Sequence, residues 1–122
     1  MSVRGVGIDV AEVSRFRRLL NRRGGRFAEK WFVHDEVYWC ARRADPAAAL
    51  ATHFAVKEAV WKALAPTVWS SPLPWRSISY HADRGAVSLH GSVLVHAGSV
   101  RVHTSVTSVG DVVIATALVT AA

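Results

Sequence analysis

The chain has 122 residues, with fifteen Lys and Arg against nine Asp and Glu, and 51% of its residues are hydrophobic. That length suits one domain spanning residues 1–122 and excludes separate cofactor and substrate lobes, while the apolar share excludes wholesale disorder. Charge is uneven: residues 1–65 carry twelve basic and seven acidic side chains, residues 66–122 three and two, so a surface for an acidic partner belongs to the first half.

Val3 to Val10 reads as a short strand, with Val6, Ile8 and Val10 on one face and Gly5, Gly7 and Asp9 on the other. From Ala11 to about Arg23 the period turns helical. Val13, Phe16, Leu19 and Leu20 share one face, and Arg15, Arg18 and Arg22 share another, before Gly24-Gly25 stops the helix. Phe27 to Phe32 is a short aromatic helix or turn. His34 to Arg43 opens on Asp35-Glu36 and closes on Arg42-Arg43, the polarity of a helix in its own dipole field. Asp45-Pro46 then reads as an N-cap and a first-turn proline, opening the longest helix, which runs to about Leu64. Thr67 to Trp75 is a loop. Beyond Arg76 the chain is β-rich, with Ile78–Tyr80 and Ala86–Leu89 joined through Asp83-Arg84-Gly85, and Val100–Val106 and Asp111–Thr120 joined through Gly110. Val93–His96 is open between strand and helix.

A single cysteine, Cys40, excludes an internal disulfide and a Cys-built zinc site, and fits a reducing compartment. No stretch reaches the roughly 18 apolar residues of a membrane span. The opening MSVRGVGIDV lacks the pattern of a signal peptide, so a cytoplasmic protein without membrane contact is expected. Six scattered histidines show no HxxxH or HxH spacing, and there is no GxSxG, Walker loop or GxGxxG.

Two carboxylates break the apolar pattern. On the long helix Leu50, Phe54, Trp61 and Ala65 form a stripe, and Glu58 sits inside it, where a charge is costly unless paired or bound to a cation. One reading is an ion pair with Lys62 one turn later. Asp9 ends its strand just before a helix and would either cap that helix or stand at the rim of a close approach made possible by Gly7. If the strand lies beside the long helix, Asp9 and Glu58 can meet there and either share a proton or hold a divalent cation, for which Mg2+ completed by substrate phosphates and water is the natural occupant. The arginine face at Arg15, Arg18 and Arg22 is either a solvated surface or a dock for an acidic partner.

Two motifs together resemble a family. Gly5-Val6-Gly7-Ile8-Asp9-Val10, followed by Glu12, Arg15 and Phe16, is similar to the opening of the small bacterial holo-acyl-carrier-protein synthases. Phe54-Ala55-Val56-Lys57-Glu58-Ala59-Val60-Trp61-Lys62-Ala63-Leu64 is similar to their F-A-x-K-E-A-x-x-K-A signature, at the expected separation of about fifty residues. Leu89-His90-Gly91 and Val102-His103-Thr104-Ser105-Val106 are weaker echoes.

The resemblance implies a 4'-phosphopantetheinyl transferase of α+β fold, with a small antiparallel sheet packed against a long helix. Such enzymes move the phosphopantetheine arm of coenzyme A to a serine of an acyl carrier protein and release adenosine 3',5'-bisphosphate. It implies Mg2+ on Asp9 and Glu58, Lys62 near the phosphates, Arg15, Arg18 and Arg22 docking the carrier protein, and a homotrimer with sites between subunits. Phosphoryl transfer of this kind needs charge neutralisation more than covalent help, and Glu58 is the candidate acceptor for the serine proton. Arg42 and Arg43 are candidates for the nucleotide phosphates.

Three positions depart from the family pattern where it holds coenzyme A. His53 stands for the usual Arg, Ala65-Pro66-Thr67 for Gly-Thr-Gly, and Thr107-Ser108 for Ser/Thr-His. Serine can donate to a phosphate but cannot carry an imidazolium charge. The competing readings are a homologue that binds carrier protein or coenzyme A without turnover, and a basic binding module. Nucleic acid is not expected as a partner, because no aromatic residues interleave with the arginines as a stacking platform requires.

Overall fold

The computed structural model describes residues 2–64 and 75–122. Strand β1 (Val3–Glu12) leads into helix α1 (Val13–Arg23), then α2 (Ala28–Trp31), α3 (His34–Ala41) and the long α4 (Pro46–Ala63). A 3-10 turn at Trp75–Ser77 precedes β2 (Ile78–His81), β3 (Ala86–Leu89), α5 (Gly91–Ala97), β4 (Val100–Val109) and β5 (Val112–Ala121). The main sheet is antiparallel in the order β1-β5-β4, and β2 and β3 form a separate hairpin. This is the α+β arrangement expected from the sequence. The predicted Ala65-Pro66-Thr67 departure lies outside the described residues, as does the predicted loop Thr67–Trp75 up to Pro74, while Trp75 opens the 3-10 turn.

Helix α4 lies across β1 and β5. Its contact face is narrow because both sides are small. On the sheet it meets Gly5, Gly7, Ala115 and Ala117, and Ala59 and Ala63 answer from the helix. A Cβ on Gly7 would lie against the Ala59 carbonyl oxygen, and one on Gly5 against that of Ala63, both far inside van der Waals contact. Those glycines are therefore what lets strand and helix backbones touch.

The alternation along β1 sorts its faces. Gly7, Asp9 and Ala11 are buried under α4, whereas Val6, Ile8 and Val10 point away and stay 67%, 58% and 56% exposed. The β-branched residues of this strand are thus outside, and the small and charged ones inside.

Several boundaries shift from the sequence reading for physical reasons. β1 continues to Glu12 because its pairing with β5 runs on to Val112, so α1 starts at Val13 rather than Ala11. Asp9 does not cap α1. Asp111, in the turn after β4, does so from across the sheet, accepting Ser14 N at 3.0 Å and Ser14 Oγ at 2.5 Å. Gly110, at φ +57°, supplies the left-handed residue that turn needs. α4 begins as predicted, with the Asp45 side chain accepting Ala48 N and Pro46 in the first turn. Val93–His96 is helical, inside α5.

A buried ionic knot ties the helical layer together. Glu36, at the third position of α3, reaches back to its own helix start, where it accepts Val33 N at 3.1 Å. It also accepts Lys57 Nζ at 2.7 Å and lies 2.9 Å from His53 Nδ1, both on α4, and takes a longer bond from Tyr80 N on β2 at 3.4 Å. Burial alone would raise the Glu36 pKa, but the bond to His53 and the bonded charge of Lys57 outweigh it and hold the carboxyl below its ordinary range. On the neighbouring face of α4, Phe54 packs against Phe16, Trp31 and Trp75 with ring centroids 5.2–5.8 Å apart.

Candidate active site

Asp9 reaches the flank of α4 because glycine two residues earlier lets its strand come close. Its side chain is 9% exposed. Asp9 Oδ1 accepts Lys62 Nζ at 2.9 Å, and the same ammonium donates to the Ile8 carbonyl at 3.1 Å. The cation of this helix turn is therefore on Asp9. Asp9 Oδ2 is buried and has no hydrogen-bond partner.

Glu58, one turn before Lys62, lies beside the Asp9 carboxylate. Its pKa is pushed up to about 7, first by burial and then by the hydrogen bond and like charge of Asp9, while the charges of Lys62 and Arg15 pull it partly back. Two converging carboxylates, one with an orphaned buried oxygen, suit a dication: it would relieve their repulsion and take the free lone pairs. Among the described residues no third His, Cys, Asp or Glu joins them. The donor set is two hard oxygens, which fits Mg2+ better than zinc.

The structure brings Asp9, Glu58, Lys62 and Arg15 together. Arg15 lies with its guanidinium 5.9 Å from the ring centroids of both Phe16 and Phe54, the residue one turn before Glu58. Arg18 and Arg22 continue the exposed arginine face from there. That face is larger than the sequence reading had it, for Arg22, Arg23, Arg26 and Lys30 surround Phe27 in a surface depression of about 450 Å³. The signal was present in Arg26-Phe27-Ala28-Glu29-Lys30 but needed the α1–α2 turn to fold it onto the helix face. Arg17 is occupied differently, in an ion pair with Asp45 at 2.8 Å.

Other predicted residues lie elsewhere in the chain. His53 requires a correction. It is 1% exposed and engaged with Glu36 between the rings of Trp39 and Tyr80, so it is a core residue and not placed to touch a nucleotide. Arg42 and Arg43 follow α3 and stack on its aromatics, Arg42 over Tyr38 at 5.3 Å and Arg43 over Trp39 at 4.2 Å. Arginines and aromatics do interleave here, contrary to the expectation from the sequence. These arginines precede the N-terminus of α4, about 20 Å along the helix from Glu58. Thr107 and Ser108 are exposed near the end of β4. With Arg17, Thr52 and Asp111 they line a cleft of about 340 Å³. Since β5 intervenes between β1 and β4, two strand spacings, about 10 Å, separate them from Asp9.

Comparison with known proteins adds the family. Residues 5–117 match the model of the 4'-phosphopantetheinyl transferase superfamily. Holo-acyl-carrier-protein synthase of Delftia acidovorans is 38% identical over 117 residues, covering 88% of each chain. That of Chlamydia muridarum is 43% identical over 74 residues, 61% of this chain, and the match spans only 58% of the relative's length. A solved synthase–coenzyme A complex from Chronobacterium ammoniagenes superposes with a TM-score of 0.77 at 27% identity, covering 97% of both chains. With both motifs in place, the carboxylate pair they form at the strand–helix contact, and matches over nearly its whole length, the chain belongs to the holo-acyl-carrier-protein synthase family of the 4'-phosphopantetheinyl transferase superfamily.

Proposed function

We propose that this chain transfers the 4'-phosphopantetheine arm of coenzyme A to a serine of an acyl carrier protein, with Mg2+, in the cytoplasm. The observation that carries this reading is the convergence of Asp9, Glu58 and Lys62 at one strand–helix contact. Asp9 Oδ2 and Glu58 would hold Mg2+, which supplies charge neutralisation at the pyrophosphate. Lys62, with its side chain 51% exposed at the rim of the pair, would balance charge on the phosphates. The serine oxygen forms a bond to the phosphorus that bears the pantetheine arm, and the bond to the departing adenosine 3',5'-bisphosphate breaks. Glu58 takes the serine proton.

Arg15, Arg18 and Arg22, extended by Arg23, Arg26 and Lys30, would dock the acidic carrier protein within reach of that centre. Incubation with an apo-carrier protein, coenzyme A and Mg2+, read by intact mass, tests both parts. The carrier is expected to gain one phosphopantetheine, and EDTA is expected to prevent it. Reversing charge at Arg18 and Arg22 is expected to raise KM for the carrier about tenfold or more at low salt while leaving KM for coenzyme A unchanged. Coenzyme A bound without any mass gain across several carriers would leave a binding homologue instead.

The working form of this reading is a homotrimer. Val6, Ile8 and Val10 with Val109 give the outer sheet face an exposed apolar surface of the kind that marks an interface. A neighbouring chain seated there could bring Thr107 and Ser108, and Arg42 and Arg43 as candidates for the nucleotide phosphates, to an Asp9–Glu58 pair that lies apart from them within one chain. Sedimentation equilibrium is expected to give the mass of three chains; a monomer at micromolar concentration would exclude this arrangement.

A further inference from the structure

Lys62 is a movable cation on a fixed carboxylate. Its side chain is half exposed, whereas Asp9 is 9% exposed on a paired strand. The Lys62 ammonium sits on Asp9 Oδ1 at 2.9 Å, while Arg15 acts on the pair only through its more distant field. Lys62 therefore cancels much of the Asp9 charge and weakens the attraction for a dication arriving alone. A pyrophosphate changes that balance, because its negative charge draws the dication and the ammonium alike.

We propose that Lys62 couples the two ligands: its ammonium neutralises Asp9 until the pyrophosphate of coenzyme A draws it off, so that dication and nucleotide enter as one unit. This rests on the reading above, in which Asp9 and Glu58 hold the dication. The roles of Asp9 Oδ1 and Oδ2 then differ. Oδ2 carries no ammonium in either state, and Oδ1 becomes available only when Lys62 turns to the phosphate. The exchange breaks one charge-assisted hydrogen bond and forms another, so it favours the loaded site without favouring the bare one. Metal and coenzyme A therefore bind with positive cooperativity, part of which belongs to this side chain.

Mn2+ is the probe, with the free ion followed by electron paramagnetic resonance. Coenzyme A is present or absent, no carrier is added so that nothing turns over, and Mn2+ with coenzyme A alone is measured in parallel. In the wild type, saturating coenzyme A is expected to tighten Mn2+ binding at least about tenfold, and Mn2+ to tighten coenzyme A by the same factor. Lys62→Met is expected to bind Mn2+ about fivefold more tightly than wild type without coenzyme A, and to lose at least about fivefold of the coupling. Arg15→Met removes a charge that acts on Glu58 through its field, and is expected to shift bare Mn2+ affinity by less than about twofold. Bare affinity unchanged or weakened in Lys62→Met, coupling undiminished, or equal effects from both variants would overturn the coupling role and leave the metal site standing. Absence of Mn2+ binding in the wild type, with or without coenzyme A, would overturn the metal site and this proposal together.

Discussion

Glu58→Gln is expected to abolish transfer and, in the metal-free protein at pH 8, to raise thermal stability. The rate should fall by about 10³-fold, the scale of a lost proton acceptor and lost charge stabilisation together. The stability gain follows from the raised pKa. Glu58 has a folded value of about 7 against an ordinary 4.5, because it is half-buried beside Asp9. A carboxyl raised on folding contributes its stability in full below the unfolded value. That contribution is lost as pH rises through the folded value, since the native state must then give up a proton it holds more tightly than the unfolded chain does. Gln is neutral at every pH and its amide can donate to Asp9. After allowing for solvent screening at a half-buried site, the gain at pH 8 is about 1–2 kcal/mol, or about 5 °C in Tm. At pH 4 the two proteins should melt together. Thermal scans in EDTA at both pH values, paired with the transfer assay, test this. A variant less stable than wild type at pH 8, or one keeping a tenth of the activity, would remove Glu58 from its assigned place.

Glu36→Ala is expected to cost about 3–5 kcal/mol, because it leaves a buried ammonium without its carboxylate. Lys57 is fully buried, with its Nζ 2.7 Å from Glu36 and 5.1 Å from the centre of the Phe32 ring. The aromatic face replaces little of what the carboxylate supplies. His53 Nδ1, Val33 N and Tyr80 N lose an acceptor at the same moment, on three separate elements. Against a total stability of about 5–15 kcal/mol, that loss populates the unfolded chain substantially. Glu36→Leu combined with Lys57→Met removes both charges and should cost much less than the two single changes added together. Urea denaturation of the wild type, Glu36→Ala, Glu36→Leu, Lys57→Met and the double variant measures the difference. A single-variant loss under about 1 kcal/mol would mean that water or another group already reaches Lys57.

How much of this was legible in the sequence depended on the range of the interaction. Asp45-Pro46 marked the start of α4 because cap and proline act within one turn. The Asp9–Glu58 meeting could be anticipated from Gly7 and a strand-to-helix order, since a missing Cβ announces a close approach. The capping of α1 could not. Asp111 is 97 residues from Ser14, and nothing near Asp9 distinguishes a residue that caps from one that does not. His53 was misplaced for a related reason. A histidine one residue before a motif looks available to a ligand, and its burial depends on Glu36, Trp39 and Tyr80, three residues from two other elements. The arginine surface was only partly legible, because Arg15, Arg18 and Arg22 repeat with the helix while Arg26 and Lys30 join them only through a turn.

Strand β1 constrains what this chain can tolerate in a way that no single residue reveals. Its even-numbered positions from Val6 to Val10 face outward, and its odd-numbered ones from Gly5 to Ala11 face α4. Deleting or inserting one residue between Arg4 and Ile8 while β5 holds its register would turn every following side chain over. Valine would then be driven into the glycine contact, and the carboxylate would leave the site for the sheet's outer face. Point substitutions can be absorbed on the outer face, where Val6, Ile8 and Val10 are exposed, but neither a side chain at Gly5 or Gly7 nor a change of length can be.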